Sequence, residues 1–170
     1  MTQPHYLLRP VNPGFIALSF VLAFLFNLLP WGEVLWIPDM VALVLVFWNI
    51  HQPRKVGMGV AFVLGLLMDV HDARLLGEHA MAYTLLAYFA ITIHRRVLWF
   101  SVYTQALHVL PLLFIAHAVP VVIRLAMGAP LPGWQLWLAP GIEALLWPLA
   151  TGLLLAPQRR SVDVDETRPI

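Results

Sequence analysis

Between residues 97 and 123 the chain carries no Asp, Glu, Lys or Arg, and residues 10–32 carry none either. An α-helix rises about 1.5 Å per residue, so roughly 20 apolar residues cross a hydrocarbon core about 30 Å thick. Both runs meet that length. Shorter uncharged runs cover 40–53, 56–68, 79–94 and 125–142, and after Glu143 the last resumes through 144–158. Only 11% of residues are charged and 61% are hydrophobic, whereas a soluble domain carries charge at about 25% of positions. A water-facing surface cannot be covered from that supply. The pattern therefore predicts an all-α integral membrane protein, and 170 residues leave room for one domain and no separate extramembrane module.

Placing helices on the runs predicts a bundle of six transmembrane helices at about 14–31, 37–52, 55–70, 77–94, 100–126 and 135–156. The second and third are short. They cross only if Trp36 and Ile37 extend the second, the bilayer thins, or neighbouring helices shield their ends. The sixth crosses only with Glu143 buried inside it. Basic residues orient the bundle. With a cytoplasmic N-terminus, Arg9, Arg54, Lys55, Arg95, Arg96, Arg159, Arg160 and Arg168 fall inside, while Arg74 and Arg124 fall at the outer side. That asymmetry places both termini of this inner-membrane protein in the cytoplasm. Joining the second and third runs would bury Arg54 and Lys55 at mid-membrane, so six spans are preferred to five. Trp31, Trp36, Trp99, Trp134 and Trp137 fall near the span ends, where amphipathic rings favour the interface. The first span is read as a retained anchor, because Pro30-Trp31-Gly32-Glu33 offers no small-x-small cleavage site. Residues 158–170 read as a polar cytoplasmic tail.

Several chemistries are excluded early. A net charge of +1 provides no field for nucleic acid. The absence of cysteine removes thiol catalysis, thiolate metal sites and disulfides. His71, Asp72 and His79 are zinc-ligand types, but their spacing matches neither the HExxH nor the HxxEH pattern. A solvated outer turn at 69–79 explains them, and neither metal nor cofactor is expected.

Two groups of residues ask for more than lipid. Gly57, Ala61, Gly65 and Asp69 recur every four positions and share a helix face. Small residues there allow a neighbouring backbone to approach closely, either within the bundle or on another membrane protein. Asp69, ending the stripe, is placed to accept hydrogen bonds from the next turn of chain. The second group is His117, Arg124 and Glu143. At 1.5 Å per residue, Arg124 lies about 5 Å below the outer boundary, Glu143 about 10 Å and His117 about 15 Å. An ionised carboxylate in hydrocarbon must be paired, neutralised or turned to a polar cavity. Either basic residue reaches Glu143 if the fifth and sixth helices are neighbours. Gln105 and His108, with Pro111 and Pro120, also interrupt the fifth span.

The chain also resembles a known family. Leu28-Leu29-Pro30-Trp31 closes the first span, and Pro38-Asp39 opens a second that ends Val46-Phe47-Trp48. Gly65-Leu66-Leu67-Met68-Asp69, preceded by Arg54-Lys55-Val56-Gly57, is followed by Leu75-Leu76-Gly77-Glu78-His79-Ala80. Glu143-Ala144-Leu145-Leu146-Trp147-Pro148 lies in the last span. Over about residues 15–155 this resembles the rod shape-determining protein MreD family. The outer turn (His71, Asp72, Arg74, Glu78, His79) is more charged than the family pattern, and Glu143 stands where that pattern has a neutral polar residue. The resemblance implies a non-enzymatic role in the bacterial cell-wall elongation machinery. Its implied partners are MreC, the glycosyltransferase RodA with its penicillin-binding transpeptidase, and MreB filaments indirectly. It also implies a fold similar to the substrate-binding subunits of vitamin transporters.

Three functions compete at this point. A membrane scaffold of the elongation complex is preferred. A substrate-capture subunit of a small-molecule transporter would use His117, Arg124 and Glu143 around a pocket. An intramembrane hydrolase or lipid-modifying enzyme would draw on the same carboxylates and histidines, but no recognisable catalytic spacing supports it.

Overall fold

The computed structural model describes residues 11–158 apart from positions 33, 35 and 74. Arg9, Arg74, Arg159, Arg160, Arg168 and the tail after Gln158, used above for orientation, lie outside the described residues. Among the described residues the chain forms six α-helices and no strand. They are α1 (Pro13–Asn27), α2 (Met40–His51), α3 (Met58–His71), α4 (Glu78–Val97), α5 (Val102–Ala126) and α6 (Ala139–Leu155). A short 3₁₀ turn, Trp134–Leu138, leads into α6.

Local chemistry accounts for most of these boundaries. Asn12 caps α1 by accepting from the Gly14 amide, and Pro13 stands at the first turn, where its missing N–H costs nothing. Asp39 caps α2 through the Ala42 amide at 3.0 Å. The chain enters α4 through Gly77 at φ +112°, a backbone geometry that strains residues bearing a Cβ. The first helix stops at Asn27, four residues short of the predicted end at 31. Asn27 instead turns its side chain to the start of α2, donating to Asp39 Oδ1 at 2.7 Å and accepting from the Met40 amide at 3.1 Å.

Among the helices only α5, and α6 with its flanking 3₁₀ turns, are long and apolar enough to cross a membrane by length and composition; α1, α2 and α3 are shorter apolar helices. The shortest has the most enclosed position. Every residue from Val41 to Ile50 in α2 is buried, and the helix is wrapped by α1, α4, α5 and α6. At about 18 Å α2 cannot match a hydrocarbon core alone. A helix apolar on all sides belongs inside a larger assembly, and here its neighbours cover it. Phe15 meets the Trp48 ring edge-on, and Ser19 accepts the Trp48 indole N–H at 2.9 Å, so α1 is seated on this core.

The helices run alternately up and down. One cavity at one end is lined by Asn27 from the end of α1, Asp39 before α2, Met68 near the end of α3, His79 at the start of α4, Arg124 near the end of α5 and Leu136 before α6. The opposite end brings together the start of α1 and the α2–α3 turn, where Lys55 donates to the Val11 carbonyl. Trp31, Trp36, Trp99, Trp134 and Trp137 are all exposed, whereas Trp48 and Trp147 are in the core.

A polar cluster at one end of the bundle

The cluster is built from helix ends. Asp39 uses both oxygens: Oδ1 takes the Ala42 amide and the Asn27 side chain, and Oδ2 takes the Tyr83 hydroxyl of α4. One carboxylate thus ties α1, α2 and α4 together at a shared level. Its own amide N–H donates to Glu143 Oε1 of α6 at 2.8 Å. His117 of α5 donates from Nε2 to the same oxygen at 2.7 Å. Glu143 is wholly buried, and its Oε2 has no partner among the described residues.

Sequence spacing grouped His117, Arg124 and Glu143; the structure divides them. His117 reaches Glu143, but Arg124 turns away and binds Glu78 Oε2 of α4 through Nε at 2.9 Å. Arg124 sits two helical turns beyond His117 toward the end of α5, and Glu78 opens α4 at that end. Glu143 is deeper and already holds two donors. Glu78 and Glu143, both buried, thus each face a basic partner. One guanidinium nitrogen of Arg124, Nη2, is buried without a partner among the described residues.

The small-residue stripe is also divided. Ala61, Gly65 and Asp69 are buried, whereas Gly57 is half-exposed with open space around it. At Gly65 the backbones of α3 and α4 touch. A Cβ there would lie 2.5 Å from the Ala80 nitrogen and 2.6 Å from the His79 carbonyl carbon, with Ala80 Cα nearer still. That approach carries Asp69 over the first turn of α4. It accepts from the amides of Gly77 (2.7 Å), His79 (2.8 Å) and Ala80 (3.4 Å), and from His79 Nδ1 at 2.9 Å. A carboxylate from α3 therefore satisfies the free N–H groups that open α4, a task the Gly77 cap has no side chain to perform.

His71 contacts its neighbour Asp72 at 2.9 Å and His79 contacts Asp69, so the two histidines serve separate carboxylates. At the other end, Gln105 accepts the Trp147 indole N–H at 3.3 Å and donates to the Phe100 carbonyl at 3.0 Å, while His108 contacts the Thr104 carbonyl. The cavity above the cluster holds about 490 Å³ and is flanked by the α1–α2 and α5–α6 connections, with Trp31, Pro38, Pro130 and Pro132 among its walls.

Sequence reasoning missed Asn27, Asp39 and Tyr83 as members of the cluster. Each is an isolated polar group within or bordering an apolar run near the same boundary, so the depth reckoning applied to Glu143 would have grouped them.

The sequence profile described as "rod shape-determining protein MreD" matches residues 8–156. The chain belongs to the MreD family. It is 32% identical over 157 residues to the rod shape-determining protein MreD of Haemophilus influenzae, covering 91% of this chain and 96% of that protein. No solved structure matches. MreD proteins are membrane proteins of the cell-shape machinery, so the apolar exterior of this bundle belongs in lipid. The cluster described above then lies at one end of a membrane-embedded MreD-type bundle.

Proposed function

We propose that this chain is a non-enzymatic scaffold of the cell-wall elongation complex. It crosses the inner membrane six times with both termini cytoplasmic, binds MreC, and through it helps maintain rod shape and lateral wall synthesis. RodA with its transpeptidase, and MreB filaments indirectly, complete the assembly.

One observation carries this reading: the polar groups turn inward and engage one another, while the outer faces are apolar. Asp39, Asp69, Glu78 and Glu143 each contact groups on other helices. Leu18, Val21, Leu22 and Leu25 of α1, Phe62, Val63 and Leu67 of α3, and Leu145, Leu149 and Leu153 of α6 are exposed. Internal polar bonds hold the helix ends in register, and the outside is left for lipid and partner helices. The short α2 and α3 suit six crossings because α2 is sheathed by its neighbours and α3 is backed by α4. The alternation of helix direction supports placing Arg54, Lys55, Arg95 and Arg96 on one side, which the positive-inside rule makes cytoplasmic. The family match does not favour the vitamin-transporter alternative.

Topology is tested with reporter fusions after Arg54 and Arg95, which should read cytoplasmic; periplasmic signals at both would overturn it. The scaffold role is tested by depletion in rich medium and by co-purification. Rounded cells and recovery of MreC are expected. Rods that persist after depletion, or growth defects cured by adding a vitamin, would refute it.

A further inference from the structure

The two ends of the bundle differ in charge more sharply than the net charge of +1 suggests. Every carboxylate among the described residues (Asp39, Asp69, Asp72, Glu78 and Glu143) lies toward the end that holds the polar cluster. The opposite end displays Arg54, Lys55, Arg95 and Arg96. Arg95 and Arg96 are both exposed, and neither guanidinium has an ion pair or hydrogen bond among the described residues.

The helix end does not account for this pair. Basic residues in a last turn often satisfy terminal carbonyls. Here the backbone does so, because the amides of Leu98, Trp99 and Phe100 return to the carbonyls of His94, Arg96 and Val97 at 3.1, 3.3 and 3.1 Å. The turn is braced from α5. Gln105 donates to the Phe100 carbonyl, and the Phe100 ring stacks on His108 with centroids 4.7 Å apart. On this braced turn Trp99 stands 91% exposed, the most exposed large hydrophobic residue described. Arg95, Arg96, Trp99 and Phe100 together line an open groove of about 500 Å³.

We propose that this groove binds an anionic phospholipid of the cytoplasmic leaflet, with its phosphate between Arg95 and Arg96 and its glycerol and upper acyl segment against Trp99 and Phe100. Guanidinium groups match phosphate oxygens in a planar, bidentate fashion. Indole favours the headgroup boundary, and a basic patch at a cytoplasmic membrane surface draws acidic lipid. An acidic cytoplasmic protein would also meet the charge, but it would leave Trp99 and Phe100 without an apolar partner. The leaflet assignment rests on the six-pass reading above; the lipid preference does not.

The test uses the full chain in nanodiscs of phosphatidylcholine containing a fixed fraction of brominated phosphatidylglycerol, brominated cardiolipin or brominated phosphatidylcholine. The quantity read is the fluorescence lost in the chain minus that lost in its Trp99→Phe variant. The brominated acidic lipids should be enriched beside Trp99 roughly 30-fold over brominated phosphatidylcholine, as two arginines near the membrane surface imply. The Arg95→Ala/Arg96→Ala variant should lose that preference, and Arg95→Lys/Arg96→Lys should retain part of it. Comparing phosphatidylglycerol with cardiolipin identifies the preferred source of the phosphate. Equal quenching by all three lipids, as expected for an acidic protein partner, overturns the proposal. So does a preference that survives the double alanine change. Trp99→Cys in this cysteine-free chain separates the leaflet from the lipid. Labelling by an impermeant maleimide only in inverted vesicles supports the cytoplasmic assignment. Labelling from the periplasm would overturn the leaflet while leaving the lipid preference to the quenching result.

Discussion

Replacing Gly65 with alanine should break the bundle at its closest backbone contact. The added Cβ would sit 2.5 Å from the Ala80 nitrogen and 2.6 Å from the His79 carbonyl carbon, where ordinary carbon contacts need about 3.5–4.0 Å. Those atoms are backbone, so relief requires α3 and α4 to separate by roughly 1 Å. The same separation stretches the bonds that Asp69 accepts from Gly77, His79 and Ala80. Overpacking costs about 1–3 kcal/mol, and weakening hydrogen bonds to a charged acceptor adds about 1.5–3 kcal/mol. A loss of about 2.5–6 kcal/mol follows. Gly59, one and a half turns earlier on the same helix, has open space at its Cβ position. Gly59→Ala should be neutral or slightly stabilising, because alanine favours the helix by about 1 kcal/mol. Unfolding of both variants in matched detergent micelles, followed by circular dichroism against temperature or denaturing detergent, provides the comparison. Equal midpoints for the two alanine variants would refute the close-packing argument.

Two further substitutions test the cluster. Glu143→Gln keeps an oxygen for the Asp39 amide and should reach the membrane at near wild-type levels, losing about 1–2 kcal/mol from the weaker bond to His117. Glu143→Lys buries a cation beside His117 and should sharply lower the membrane-fraction immunoblot signal; equal levels of the two variants would sink the idea. Arg124→Ala leaves the buried Glu78 without its guanidinium and should cost about 2 kcal/mol. Adding Glu78→Gln should recover much of that loss in a double-mutant cycle, whereas simple additivity would show that the pair is not coupled.

The helical class was legible because it depends on local quantities: the length of each apolar run and the charges that interrupt it. The first helix departs from expectation for a reason outside that information. Asn27, the last residue of α1, shares the capping of α2 with Asp39, twelve residues along and across a loop. The stripe on α3 could be seen as a face, but its periodicity does not say where the face ends. Gly57 is half-exposed with open space at its Cβ position, whereas Ala61, one turn on, is buried.

Run length, charge placement and periodicity by themselves determined that this chain is helical and apolar outside, with Glu143 requiring a partner. The fold decided which groups pair. His117 and Arg124 differ in depth by about 10 Å and both had access to Glu143 in principle. The choice came from α4 supplying Glu78 at the level of Arg124, and from α2 bringing the Asp39 amide to the oxygen that His117 also meets. The fold also placed a twelve-residue helix, α2, at the centre, where neighbouring helices rather than its own length accommodate it. Sequence records a residue's type and its depth along a helix; direction and neighbour come only from how the helices pack around one another.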